Sequence, residues 1–269
     1  MAVGLSKASY YRKAQTGKDR RKTTLDSELV MKLKSLSGYE TIYGYRKVSK
    51  LLGRHNHKKV YRHMKALNLL QPRKLKKHGR RRLNISCAIQ SNARWEADLT
   101  YVFDGYQTNY LFVVVDTFDK EPIGEHYGLR CRAEEAVQSL ENAVRHRFGS
   151  LAPSSQTRVC LRVDQGSQYV SAKFKTRAKE LGVHLEFCGI NCPDDKPYIE
   201  SFFSRYKCEE VYRNEYRSYL DASNAWLFYQ RWYSTKRIHQ GLKYKTIPQF
   251  KQQNSSLQFS SILSHYIGA

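Results

Sequence analysis

Three carboxylates stand in settings that suit phosphoryl chemistry. Asp98 lies within "WEADLTYVF", whose alternating and β-branched residues predict a strand. Asp164 closes a second predicted strand, "RVCLRVD", just before the turn "DQGSQY". Glu200 falls in the first turns of a helix predicted from about Tyr198 to Tyr212. Phosphodiester transfer needs no covalent enzyme intermediate; it needs metal ions, ~3.5–4 Å apart, that activate the attacking oxygen and stabilise the leaving one. Mg²⁺ takes hard oxygen ligands, a few carboxylates plus the substrate phosphates. The expectation is therefore two Mg²⁺ ions, with Mn²⁺ as a substitute: Asp98 and Asp164 share one, and Glu200 reaches the second. Left unneutralised, the three acids repel one another, so at least one pKa should rise. A lone Asp at a strand end is more often a turn former or helix cap, and Asp104, Asp116, Asp194 and Asp195 also sit near strand ends or loops.

The elements that would position these acids are legible from Trp95 onward. "WEADLTYVF" and "NYLFVVVDTF" read as strands joined through "DGYQTN", and "IGEHYGL" as a third strand. Ala133, Val137, Leu140, Val144 and Phe148 mark a helix stopped by Gly149. "RVCLRVD" is the fourth strand, Val170 to Leu181 a helix, "VHLEF" the fifth strand, and a last helix runs from Asp221 to about Lys236. Three strands in meander followed by alternating helix and strand predict an α/β RNase H-like mixed sheet. The first and fourth strands should lie side by side, with the Glu200 helix covering the sheet edge.

Ahead of this core the chain changes character. Residues 1–92 hold 24 Lys and Arg against four acids, +20 of the total net charge of +23. A basic front joined to a near-neutral body suggests a nucleic-acid grip on a core with another job, although a ribosomal or merely soluble basic protein shares that charge. Val60, Met64 and Leu67 form one stripe of a short helix, while Lys58, Arg62 and Lys65 recur on another face. With the short amphipathic run before Gly53 this outlines a helix-turn-helix, and Lys59 joins the candidate DNA contacts. Arg73, Lys74, Lys76, Lys77, Arg80, Arg81 and Arg82 follow as a charged run that stays extended unless phosphates neutralise it. The expected segments are 1–25 basic and helical, 26–70 helix-turn-helix-like and all-α, 71–94 linker, 95–252 catalytic core and 253–269 tail. The six cysteines contain no Cys-x-x-Cys pair, so neither a zinc ribbon nor a disulfide framework is indicated; His55, His57 and His63 read as solvated or phosphate-facing. No apolar run approaches the roughly 18 residues that span a membrane, and a cytoplasmic, nucleoid-associated bacterial protein is expected.

Asp164 and Glu200 are separated by 35 residues. Around them lie "WEADLTY", "VDQGSQYVSAKF", "PDDKPYIESFFSRYKCE" and "WYSTKRIHQGLKYKTIPQF", with "SYYRK" and "YGYRKVSKLL" toward the front. These motifs, in this order over about residues 5 to 250, resemble the OrfB transposase of the insertion-sequence three family. The resemblance implies an integrase-type core with Asp98, Asp164 and Glu200 as its catalytic triad. It further implies metal-dependent cutting of double-stranded DNA at the element's terminal repeats and transfer of the freed 3′-OH to a second phosphodiester, first between the element's own ends and later into target DNA. A homo-oligomer on DNA and an upstream OrfA-type partner or fusion are also implied. Tyr169, Arg237 and His239 match family motifs, Arg237 and His239 being expected as DNA contacts, and Lys207, seven residues beyond Glu200, is a candidate for holding the DNA end. Where the family usually has Asp-Asn-Ala before the Glu helix, this chain has "DDKPYIE", placing Lys196 beside the site as a DNA contact. Two other classes compete: a transposase-derived DNA-binding protein that no longer cuts, and a hydrolytic nuclease of the same fold.

Overall fold

The computed structural model describes residues 25–53, 55–72, 88–151, 159–189 and 196–254. The chain divides into two compact units, residues 1–73 and 74–269. The "SYYRK" segment, the basic run from Arg73 to Arg82, Asp194, Asp195 and the last fifteen residues of the tail lie outside the described residues.

In the first unit, α1 (Ser27–Lys34), α2 (Tyr45–Leu51) and α3 (His57–Ala66) bury Leu29, Leu33, Val48, Val60 and Met64. Asp26 caps α1 by accepting from the Leu29 N–H at 3.2 Å, and pairs with Lys59 of α3 at 2.6 Å. His63 closes the same junction. Its Nε2 accepts from the Asp26 N–H at 2.9 Å while Nδ1 lies 3.0 Å from the Lys59 carbonyl, so the ring links the start of α1 to α3. The solvated or phosphate-facing reading of His63 therefore fails: the ring is buried and holds helices together. Helix α2, a turn containing Gly53 at φ 74° and the basic α3 give the helix-turn-helix outline.

The second unit is built on β1 (Arg94–Phe103), β2 (Thr108–Asp116), β3 (Pro122–Gly128), β4 (Val159–Val163) and β5 (Val183–Phe187), ordered β3-β2-β1-β4-β5. Strand β1 is central, antiparallel to β2 and parallel to β4, an RNase H-like mixed sheet. Among the described residues it is accompanied by α4 (Ala133–Phe148), α5 (Ser167–Val170), α6 (Ala172–Glu180), α7 (Pro197–Glu209), α8 (Tyr219–Thr235) and a further helical stretch over 247–254. Side chains alternate across each strand. Trp95, Ala97, Phe112, Val114, Leu161 and Val163 enter the core beneath α4 and α6. Glu96 and Asp98 leave β1 on the opposite face, toward α7.

The helix predicted over 170–181 is two. Ser171 adopts ψ 146° and its hydroxyl caps α6 at the Phe174 N–H, 3.2 Å away. The Glu200 helix stops at Glu209, short of Tyr212, and it packs on β1 and β2 over the middle of the sheet instead of its edge. β3 meets α4 at Gly124, where a Cβ would lie 2.3 Å from the Ser139 carbonyl oxygen.

Candidate active site

The parallel register pairs Arg94 with Cys160, Trp95 with Leu161 and Glu96 with Arg162. Carried two residues further, it sets Asp98 level with Asp164 on the same face of the sheet. The two carboxylates converge. Lys196 Nζ lies 3.1 Å from Asp98 Oδ2 and 3.2 Å from Asp164 Oδ2, so one ammonium bridges both. Burial raises the Asp98 carboxyl above its usual range, with the lysine opposing. Burial pushes Lys196 down, but the two acids outweigh it and the ammonium holds its proton more firmly than usual. Lys196 is itself buried, 7% exposed. Repulsion among the three acids is the expected cause of a rise; the rise at Asp98 comes chiefly from burial, with repulsion by Asp164 the smallest contribution.

Asp164 caps its own turn, accepting from the Gly166 N–H at 2.8 Å. Gly166 has φ −58°, open to any residue, so its requirement is space: a Cβ there would stand 2.9 Å from Asp164 Oδ1 and 2.4 Å from Gln168 Nε2. Tyr169 is buried behind the acids, its ring edge-on to Phe174 at 5.3 Å, and its phenol is raised by burial and by Asp98 and Asp164.

Glu200 stands exposed in the first turn of α7. Among the described residues, no three His, Cys, Asp or Glu side chains gather closely enough to hold an ion. The donor chemistry fits Mg²⁺ at the Asp98–Asp164 pair, where two hard oxygens already share a cation, and Glu200 is not gathered with them.

What sequence reasoning missed is the group that sets α7. Lys196, at the N-cap, makes no side-chain cap hydrogen bond, and Pro197 at the first helical position has no N–H. The next two amides, of Tyr198 and Ile199, both donate to Glu96 Oε2 at 2.9 and 2.8 Å. Glu96 is 1% exposed, and burial, outweighing these two hydrogen bonds, pushes it up to about 7. The available signal was an acid two residues before Asp98, hence on the same strand face.

Of the expected DNA contacts, Lys58, Arg62 and Lys65 lie exposed on α3, and Lys207 half-buried on α7. Lys59 is committed to Asp26. Arg237 and His239 do not face solvent. Arg237 is 4% exposed and clamps Glu209 through Nε at 2.8 Å and Nη2 at 2.5 Å; His239 stands edge-on to Tyr233 with centroids 4.7 Å apart. Both serve the packing of α7 against α8, and the expectation of DNA contact is withdrawn for them.

Residues 88–193 and 181–246 each match the family described as Integrase core domain. The transposase for insertion sequence element IS904 of Lactococcus lactis subsp. lactis (strain IL1403) is 27% identical over 169 residues, 62% of this chain and 64% of that protein. The InsK protein of insertion sequence element IS150 from Escherichia coli (strain K12) is 28% identical over 226 residues, 78% of each chain. Transposase InsF for insertion sequence IS3fB of Escherichia coli (strain K12) is 27% identical over 169 residues, 61% of this chain and 55% of that protein. The alignments thus span less than two thirds of the first and third of these relatives.

Proposed function

We propose that this chain, which carries an integrase core domain over residues 88–246, is a transposase of the insertion-sequence three kind that it resembles, cutting DNA at insertion-sequence ends and joining the freed 3′-OH to a second phosphodiester. The observation that carries this reading is the shared cation point between Asp98 and Asp164 at one register of adjacent parallel strands, with Glu200 on the helix above. Asp98 and Asp164 would hold one Mg²⁺ or Mn²⁺ and Glu200 would complete a second position. Bound there, the ions supply Lewis acidity to the attacking and leaving oxygens.

The chain's own groups divide the remaining work. Asp98 and Asp164 fix the reacting centre to the rigid middle of the sheet, and Gly166 leaves the approach beside Asp164 open. Lys196, released from the acids, becomes a donor for a phosphate oxygen. Lys207, on the Glu200 face of α7, neutralises the DNA end, while Lys58, Arg62 and Lys65 on α3 supply sequence-independent grip. Double-stranded DNA, a second copy of the chain on it and an upstream partner reading frame belong to the same proposal.

The test incubates the protein and Asp164→Asn with labelled DNA bearing the element's terminal repeats, in Mg²⁺ or EDTA. Metal-dependent joined products, absent in the variant, support transposition; nicked but unjoined products point to a nuclease. One observation favours a second reading. An ammonium seated between two metal-ligand candidates suits a chain that binds DNA without cutting. Wild-type protein that is inert in Mg²⁺ and Mn²⁺, with Lys196→Asn restoring cleavage, would decide for that silent form.

A further inference from the structure

Helix α7 has no means of its own to satisfy its first turn. A helix leaves its first N–H groups without intrahelical acceptors. Here the N-cap side chain is a lysine, a donor turned toward Asp98 and Asp164, and the first helical residue is Pro197. The Glu200 N–H already reaches the Lys196 carbonyl at 3.2 Å. The two remaining donors, Tyr198 and Ile199, are taken by a single carboxylate oxygen arriving from a strand 102 and 103 residues earlier. That strand is β1, and Asp98 follows Glu96 by two residues on the same face.

We infer that Glu96 is the positioning residue of the site, holding the first turn of α7, and with it Glu200, at a fixed place over Asp98. The inference rests on the proposed strand-transfer reading, since it explains how the third acid is held beside the other two. Glu96 does not touch substrate or metal in this scheme. It acts through two backbone amides. The arrangement places two acids of the triad under the control of one strand. Movement of β1 carries Asp98 directly and Glu200 through the cap.

The experiment compares the full-length chain with Glu96→Gln, Glu96→Ala and Glu96→Asp, reading strand transfer, DNA affinity and hydrogen exchange at the Tyr198 and Ile199 amides. Gln keeps an acceptor oxygen at the same reach and is expected to transfer within about threefold of wild type with both amides protected. Ala removes the acceptor: turnover falls roughly 100-fold, as expected for a displacement of about 1 Å at a reacting group, while KM for DNA holds and the two amides exchange freely. Asp withdraws the acceptor by one methylene and loses transfer and protection together, which keeps the test available if the Ala form does not fold. Wild-type transfer by Ala or Asp with unprotected amides overturns the inference. So does an equal loss in Gln and Ala, which would put the charge of Glu96 at the reacting centre. If wild type transfers nothing under any metal, the functional reading fails, yet amide exchange still decides whether Glu96 holds the helix.

Discussion

At the scale of single residues, the bridging ammonium of Lys196 sets the first prediction. It neutralises two acids at 3.1 and 3.2 Å, so an incoming divalent ion must compete with it. Lys196→Asn is expected to bind Mn²⁺ about tenfold more tightly by calorimetry, a modest share of the ~4 kcal/mol that unit charges 4 Å apart exchange near a protein surface. Unchanged or weaker affinity would remove Lys196 from the competition. Asp164 was legible as a polar residue closing an apolar strand run, and Asp98 as an acid set inside one. Glu96 was not, since nothing in its local sequence announces a partner a hundred positions away. Arg237 and His239 misled for a related reason: charge and motif suggested phosphate, but the buried carboxylate of Glu209 partners Arg237 and the ring of Tyr233 packs on His239.

At the scale of elements, the α7–α8 seam and the β3–α4 contact carry two further predictions. Glu209 accepts from Arg237 and from the Tyr229 hydroxyl at 3.1 Å inside an aromatic cluster of Phe202, Tyr206, Trp226 and Tyr233. Removing one partner of such a pair leaves a buried charge uncompensated, and Arg237→Gln should cost about 3–5 kcal/mol in denaturant unfolding. A loss below about 1 kcal/mol would return Arg237 to the surface role first expected of it. Gly124→Ala places a methyl group 2.3 Å from the Ser139 carbonyl and 2.5 Å from the Ala143 nitrogen. Helix α4 must retreat from the sheet, at about 1–3 kcal/mol, readable as a lowered Tm. Strand order and the long amphipathic α4 could be read from periodicity. The break at Ser171 could not, because Val170, Phe174, Ala178 and Leu181 keep helical spacing across a residue whose backbone is extended.

At the scale of the molecule, the buried acids Asp116, Asp119 and Glu121 tie the β2–β3 turn to α4 and to the helical stretch 247–254. Arg147 reaches Asp119 at 2.8 Å and Glu121 at 3.0 Å, and Lys251 pairs with Glu121. Burial pushes the Glu121 carboxyl up, but His146, Arg147 and Lys251 prevail and bring it down to about 2. Its folded pKa thus lies below its ordinary 4.5, so its contribution is complete above that value and is lost as pH falls toward about 2. Asp116 works the other way, since burial and Asp119 raise it. Comparing wild type with Glu121→Gln isolates the one group: the stability gap should be about 2 kcal/mol at neutral pH, allowing for a Lys251 side chain that is 36% exposed, and should close by about pH 2. A gap independent of pH would assign the tie to packing. A basic front and a near-neutral body were visible in charge alone, whereas this network was not, because its members are scattered from β2 to the far end of the described chain. The Glu96 cap has a last consequence, in the order of synthesis. Its acceptor leaves the ribosome 102 and 103 positions ahead of the amides that satisfy it, an interval of roughly 5–20 s at ordinary elongation rates. Through that time the nascent chain can pair its strands but cannot set the first turn of α7, so that helix is seated only after the sheet beneath it has been made.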